Sequence, residues 1–446
     1  VPKWALLVGC GQLDEPRRTG IRGTYDDRKR NIRHNGATIT AKAIHPSQKG
    51  SLMPPRSSRV SDILTILREE GPRTRSELAA LTGQARSTVS HRLAELVATG
   101  MVGETTPATT GGRPSAVYAF LGQSQIVLAA DIGAQHAVLA VTNLKAEVIA
   151  HWSGPINVAD GPAVVIPAVI KHFEALLASA GRATHDVAGV GIGLPGPVEF
   201  ATGRLISPPI MPGWDGFDVV EAFSSRFSCP TFVDNDANLL AIGERASHWP
   251  HVENFMYVKV GAGIGAGIIT GGRICRGAQG AAGDIGHVYA PMAENRPCRC
   301  GNRGCIEAFA GGQALASALA EQGLPARVPT DVVDLARAGN LETTHLVREA
   351  GRAIGSVLAA CIALLNPEVI VLGGEIAEIG DPLIAGVRES VYRRALPLAS
   401  QHLRIVPAAT AGLEGVIGAT HLVLDSILDP EAVNQAVSMG ASASAQ

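Results

Sequence analysis

Positive charge is not in excess. The chain has 38 Lys and Arg against 40 Asp and Glu, a formal net charge of −2. That balance excludes a whole-chain pull toward nucleic acid or an anionic membrane, so any DNA contact must come from a local basic patch. Long hydrophobic runs are also missing. No stretch of about 18 or more apolar residues appears, and the sequence offers no transmembrane helix. The opening "VPKWALLVGC" sets one Lys ahead of a short apolar patch and lacks the apolar core of a signal peptide. Cysteine is scarce and odd in number, seven in 446 residues. This argues against a secreted disulfide framework and fits a reducing cytoplasm. Aromatics are few at 4%, but 46% of residues are hydrophobic and 51 are Gly. A soluble protein of two or three domains with large buried cores fits these figures.

Residues 1–52 show no sustained period and mix a basic run, Arg28-Lys29-Arg30, with Gly and Thr. They are read as a disordered extension; Met53 stands just ahead of the first patterned segment, so start-site choice is the other reading. Residues 53–120 change character. Val60, Ile63, Leu64 and Leu67 follow helical spacing, and Gly71-Pro72 ends that helix. "TRSELAALTG" predicts a second helix, with Thr74 and Glu77 in capping-box positions and Gly83 at the turn. A third helix is expected from about Ser87 to Thr99, with Val89, Leu93, Leu96 and Val97 on one face. "GETTPATTGGRPSAVYAF" then reads as two strands with a loose loop between them. Three short helices and a β-wing make a winged helix-turn-helix. The exposed face of the third helix carries Arg86, Ser87, Thr88, Ser90, His91 and Arg92, all able to meet phosphates or base edges. Arg113 in the wing suits a narrow minor groove. Because the domain is not strongly basic, DNA affinity is expected to lean on a dimer.

Residues 121–428 read as a larger α/β region. "IVLAADIG", "HAVLAVTNL", "AEVIAHWSGPI", "VAGVGIGLPGPV" and "NPEVIVLGGEI" are strands, with a helix around residues 164–180 and a hairpin through "NFMYVKVGAGIGAGIITGGRI". The two halves echo each other loosely, since both open on strands that bend through Gly-rich loops. Residues 429–446, rich in Ser and Ala, are expected to be a flexible tail. Three Gly-rich turns, at Asp131 and Gly133, at Gly261, Gly263 and Gly265, and at Gly373 and Gly374, place backbone N–H groups where phosphates could approach. Hydroxyl side chains that would grip those phosphates are absent from the first two. Asp236, in "VDNDAN", is placed either to take a proton from a hydroxyl nucleophile or to cap the helix that follows.

The stretch "CRCGNRGC" sets Cys298, Cys300 and Cys305 within eight residues, and His287 precedes the first by eleven. Three thiolates and one imidazole complete a tetrahedral Zn2+ shell, and a closed shell is structural. Arg299 and Arg303 would ease the thiolate charge. A zinc that pins both segments also brings Asp284, His287 and Glu307 together, a set of partners for a polyhydroxylated ligand.

"GLPGPV", "VDNDAN", "GAGIGAGI", "GDIGH" and "CRCGNRGCIE", in that order, resemble the ROK family of repressors, uncharacterised reading frames and sugar kinases. The resemblance covers about residues 57–428, and its most specific part is the zinc segment. It implies a two-lobed actin-like α/β fold with sugar bound in the cleft, preceded in the repressors by a winged helix-turn-helix, and a homodimer or tetramer. It places Asp236 at the kinases' catalytic base, Asn235 and Glu307 at sugar contacts, and Asp131 at the acid facing metal and phosphate. It has His287 bind zinc through one ring nitrogen and face sugar with the other. Asp284 stands where the kinases usually have Glu. The phosphate loops depart from the kinase pattern at Gly133-Ala134-Gln135 and Gly261-Ala262-Gly263, so ATP and Mg2+ are not expected. Two readings result. One is a DNA-binding regulator, by family default a repressor relieved by a sugar or sugar derivative. The other is an ATP-dependent sugar kinase carrying a DNA-binding module. A complete winged helix beside eroded phosphate loops favours the first.

Overall fold

The computed structural model describes residues 59–105, 116–409 and 412–443. The 1–52 extension and the wing residue Arg113 lie outside them.

The chain starts with α1 (Val60–Glu69), β1 (Arg73–Thr74), α2 (Arg75–Thr82), α3 (Arg86–Ala98), β2 (Val102–Thr105) and β3 (Val117–Phe120). Thr74 caps α2 as its spacing requires: its Oγ1 accepts from the Glu77 N–H while the Glu77 carboxylate accepts from the Thr74 N–H at 2.7 Å. Gly83 closes that helix at φ +69°. Ile63, Leu64, Leu67, Leu78, Val89, Leu93 and Leu96 are buried together, and the three strands pair in the order β1-β3-β2. Val97, expected on the buried face, is 43% exposed. It follows Leu96 by about 100° of helix, which carries it off the apolar stripe.

Lobe 1 comprises β4 (Ile126–Ile132), β5 (His136–Asn143), β6 (Val148–Pro155), α4 (Pro162–Ser179), β7 (Val187–Leu194), the short pair β8 (Val198–Glu199) and β9 (Arg204–Leu205), α5 (Val219–Phe227), β10 (Thr231–Asn235) and α6 (Asp236–His248). Lobe 2 has β11 (Phe255–Val260), β12 (Ile264–Thr270), β13 (Arg273–Ile274), α7 (Glu307–Ala310), α8 (Gly312–Glu321), α9 (Pro329–Arg337), α10 (Leu341–Leu365), β14 (Val369–Gly373), α11 (Asp381–Arg394), α12 (Pro397–Ser400) and β15 (Arg404–Pro407). Two helices complete the chain, α13 (Glu414–Ile427) and α14 (Pro430–Ala443).

The two sheets run β6-β5-β4-β7-β10 and β13-β12-β11-β14-β15. In each, the first three strands form an antiparallel meander and the last two add in parallel. The loose echo between the halves is thus a full topological repeat. By length and hydropathy α4 would pass for a membrane-crossing helix. It instead buries Val165, Val169, Phe173 and Leu177 in the core of lobe 1.

Between the sheets, α6 and α13 pack almost backbone to backbone. A Cβ on Gly243 would stand 1.8 Å from the Glu414 carbonyl oxygen, so only glycine allows this approach. The expectation of a flexible tail at 429–446 is overturned over the helix Pro430–Ala443. Val433 and Val437 join the cluster containing Leu64, Leu67 and Leu93 of the winged helix and Leu424 and Leu428 of α13 and its end. Asn434 and Ser61 bond reciprocally: Ser61 N–H donates to Asn434 Oδ1 at 3.3 Å, and Asn434 Nδ2 donates to Ser61 Oγ at 3.2 Å.

Candidate functional site

The interlobe cleft encloses about 1620 Å³. Its walls bring together all the ligand and Gly-loop residues read from the sequence: Asp131, Gly133, Asn235, Asp236, Gly261, Gly263, Gly265, Asp284, His287, Glu307, Gly373 and Gly374.

At one end the thiol cluster forms. His287 closes a short 3-10 turn, Ile285–His287, and its Nδ1 lies 3.6 Å from Cys298 Sγ. Cys300 Sγ lies 3.6 Å from Cys305 Sγ, and all four donor atoms fall within 4.8 Å of one another. With Zn–S bonds of about 2.3 Å, the edge of a tetrahedral sulfur shell is about 3.8 Å, whereas a disulfide would need about 2.05 Å. Burial opposes ionisation of all three thiols and pushes Cys305 up to about 12; for Cys300 the Asn302 N–H and the neighbouring thiols outweigh it and lower the pKa. A divalent cation is what would let all three ionise together. The donor set therefore fits a structural zinc. Arg303, expected to balance thiolate charge, donates instead to the Asn295 carbonyl at 3.1 Å.

His287 turns its other nitrogen, Nε2, toward Asp284 Oδ1 at 3.8 Å. Glu307 opens α7, and its Oε2 accepts from the Ile264 N–H at 3.0 Å. A Cβ on Gly263 would meet that same oxygen at 2.3 Å, so the glycine lets the second Gly-rich loop close onto Glu307. The loop carbonyls of Gly261 and Ala262 accept from the first N–H groups of α8 at 2.8 and 3.2 Å. Donors of that helix end are thereby spent on protein.

The choice left open for Asp236, base or cap, resolves differently. Asn235 is the cap: its Oδ1 accepts from the Ala237 N–H at 2.9 Å while its Nδ2 donates to the Gly196 carbonyl at 3.0 Å. Asp236 is the first helical residue, 5% exposed, and its Oδ2 accepts from Lys259 Nζ at 2.5 Å. Asp131 sits on the cleft floor against Gly415. Burial raises its carboxyl to about 6, with Lys259 pulling back and Asp236 and Glu414 pushing further up.

Lys259 escaped the sequence reading, and so did the pair of Asp234 and Arg276. Arg276 Nε donates to Asp234 Oδ2 at 2.8 Å, and its guanidinium lies 3.7 Å from the Phe200 ring centroid. This ties the loop after β13 to lobe 1. Nothing local in the sequence marks either contact.

In the winged helix, Arg86, Ser87 and His91 are exposed on α3, and Thr88, Ser90 and Arg92 are half-buried. Arg92 Nη1 donates to Gln84 Oε1 at 2.6 Å, and His91 Nε2 lies 3.5 Å from Glu95. Arg75 adds a basic group the sequence reading did not weigh, stacked 5.1 Å over the Tyr118 ring.

Fold and site together define a DNA-reading winged helix joined to a two-lobed cleft of sugar-kinase type. The chain belongs to the ROK family, whose profile matches residues 127–426. A second profile, described as bacterial regulatory protein, arsR family, matches residues 57–103. A putative xylose repressor of Caldicellulosiruptor sp. strain Rt8B.4 is 28% identical over 381 residues, covering 82% of this chain and 95% of that protein. A glucokinase of Halalkalibacterium halodurans is 28% identical over 309 residues, covering 66% of this chain and 93% of its own. Among solved structures, a ROK family transcriptional regulator homologous to the Escherichia coli MLC protein superposes with a TM-score of 0.71 at 24% identity, covering 85% of this chain and 98% of its own. The repressor and regulator matches take in the winged helix along with the lobes, as their coverage requires.

Proposed function

We infer that this chain is a sugar-responsive, DNA-binding transcriptional repressor. The observation that carries the reading is the shared helix pair. α13 begins on the cleft floor, where a Cβ on Gly415 would stand 2.0 Å from Asp131 Oδ2. Its far end meets α14, which is packed into the core of the DNA-reading domain. A sugar that binds the closed cleft better than the open one would shift the lobes, and this path would carry the shift to α3; only that difference in affinity can drive the change. Asp284, His287 and Glu307 are the polar groups we assign to the sugar hydroxyls, with Asp236 as a further acceptor. Zinc at His287, Cys298, Cys300 and Cys305 holds that wall in place. Asn235 is kept as a contact through whatever hydrogen-bonding capacity its cap role leaves. The protein works in the cytoplasm as a homodimer or tetramer on a pseudo-palindromic operator, one α3 per half-site in the major groove. The relatives named for xylose repression and glucokinase activity point to a sugar effector and leave its identity open.

The test is sugar-dependent release of operator DNA over a panel of pentoses, hexoses and amino sugars. Asp236→Asn is expected to weaken release by an active sugar, with no ATP-dependent phosphorylation in the unmodified protein for the substitution to remove. Robust phosphorylation abolished by Asp236→Asn would instead establish the kinase.

On the DNA side, Arg86→Ala is expected to weaken binding evenly across sequences and to lower the slope of log affinity against log salt by about 1, the mark of a lost phosphate contact. Arg113→Ala should cost most where the flanks are A·T-rich, because narrow minor grooves attract arginine. Equal loss on G·C-rich flanks would count against insertion of the wing arginine. Mobility-shift titrations at several salt concentrations read both effects.

A further inference from the structure

Lys259 stands where the two ends of the cleft meet. In the flanking strands the residues directly beside it are Gly265 of β12 and Gly373 of β14, and the Tyr257 hydroxyl fills the space that a Cβ on Gly373 would take. This face of β11 looks toward α6: a Cβ on Gly265 would meet the Ala237 Cβ at 3.6 Å. The lysine stem passes beneath the second Gly-rich loop, with its Cε 3.8 Å from where a Cβ on Gly261 would stand. Its Nζ reaches Asp236 Oδ2 at 2.5 Å. Burial disfavours the ammonium. Attraction to Asp236, Asp131 and Glu375 outweighs that burial and raises the pKa, so the group is a fixed cation.

A sugar kinase needs a divalent cation and the phosphates it carries at this end of the cleft. Such a metal is held by one or two carboxylates and by the phosphates themselves. Here Asp236 already holds a cation, and Asp131, whose Oδ1 is buried without a hydrogen-bond partner, lies within that cation's field. Seating Mg2+ beside it would set like charges together in a partly dehydrated site, or would require the lysine to swing out and strip Asp236 of its partner. The residues present do not fit a metal–nucleotide complex.

We propose that Lys259 is a resident counter-ion that stands in for the divalent metal between Asp131 and Asp236, closing the phosphate end of the cleft while leaving the sugar end open. Asp236 is thereby held as an ionised hydrogen-bond acceptor and is not free to act as a base. The proposal takes from the regulator reading only which end of the cleft is which.

The probe is Mn2+ alone, followed by electron paramagnetic resonance on the zinc-loaded full chain. The unmodified protein is expected to bind no Mn2+ that depends on Asp131. Lys259→Met, and Lys259→Gln, which can still donate to Asp236, are each expected to gain about one Mn2+ per chain, lost again when Asp131→Asn is added. The proposal is overturned if the unmodified protein binds Mn2+ and Asp131→Asn removes it, or if folded Lys259 variants gain no site. Should neither variant fold, the comparison of the unmodified chain with Asp131→Asn decides by itself. Mn2+ uptake involves neither sugar nor DNA, so its outcome is separate from that of the operator-release test.

Discussion

Cys300→Ser is expected to purify without stoichiometric zinc and to lose its response to sugar. Cys300 is half-buried like Cys298, and it is the one thiol of the three whose pKa is lowered, by the Asn302 N–H and the neighbouring thiols. Removing an outer-shell partner of a metal typically costs roughly 10–100-fold in affinity, and removing one of four direct donors should cost more. The consequence reaches the sugar wall because His287 serves both sides, Nδ1 toward Cys298 and Nε2 toward Asp284. Without the metal, the ring loses the anchor that orients Nε2. Metal analysis of the purified variant and a sugar thermal shift read the two effects separately. A ligand that binds only the folded state raises the melting temperature, so the unmodified protein should shift and the variant should not. A Ser variant that responds to sugar normally would show that the cluster does not organise the cleft.

Val433→Asp is expected to uncouple the cleft from DNA. Val433 is 1% exposed in the contact of α14 with the winged helix, and a lone carboxylate there lacks a partner to offset its desolvation. The cost is on the order of 3 kcal/mol, enough to undock α14 locally. Zinc content and the sugar thermal shift should survive, since both arise in the lobes, while sugar-dependent release of operator is lost. Asn434→Ala should give a milder form of the same loss by breaking the reciprocal pair with Ser61. Normal release by a folded Val433→Asp protein would mean that the signal travels by another route.

Some of this protein was legible one segment at a time. The capping box at Thr74 and Glu77 depends on residues three apart, and the sequence reading placed it correctly. The Cys/His cluster depends mainly on eight consecutive residues that place three thiols close together. The Gly-rich loops declared themselves by composition, and the cleft gathers all three. Other features depended on partners that no local pattern names. Asp236 looked like a base or a cap, but its neighbour Asn235 took the cap and Lys259, 23 residues on, took the free oxygen. Lys259 itself sits in an apolar strand, "FMYVKV", where a single charge reads as an edge or a surface position.

By itself, the sequence determined the local chemistry: a helical reading head, a Cys/His cluster fit for a metal, Gly-rich loops without hydroxyls and a family order of motifs. Those follow from short-range turn geometry and side-chain type, which the rest of the fold does little to alter. The tertiary structure decided what faces what. Strand order, set by long-range pairing, makes the two lobes topological repeats where the sequence shows only an echo. It brings β11 alongside α6, so that Lys259 pairs with Asp236. The close approach of α6 and α13 arises because glycines let their backbones meet, and α14 docks on a helix 373 residues away through Val433, Val437 and the Asn434–Ser61 pair. A residue's charge partner or packing neighbour depends on the path of the whole chain, and residues far apart in sequence carry no mark of it until the sheets have formed.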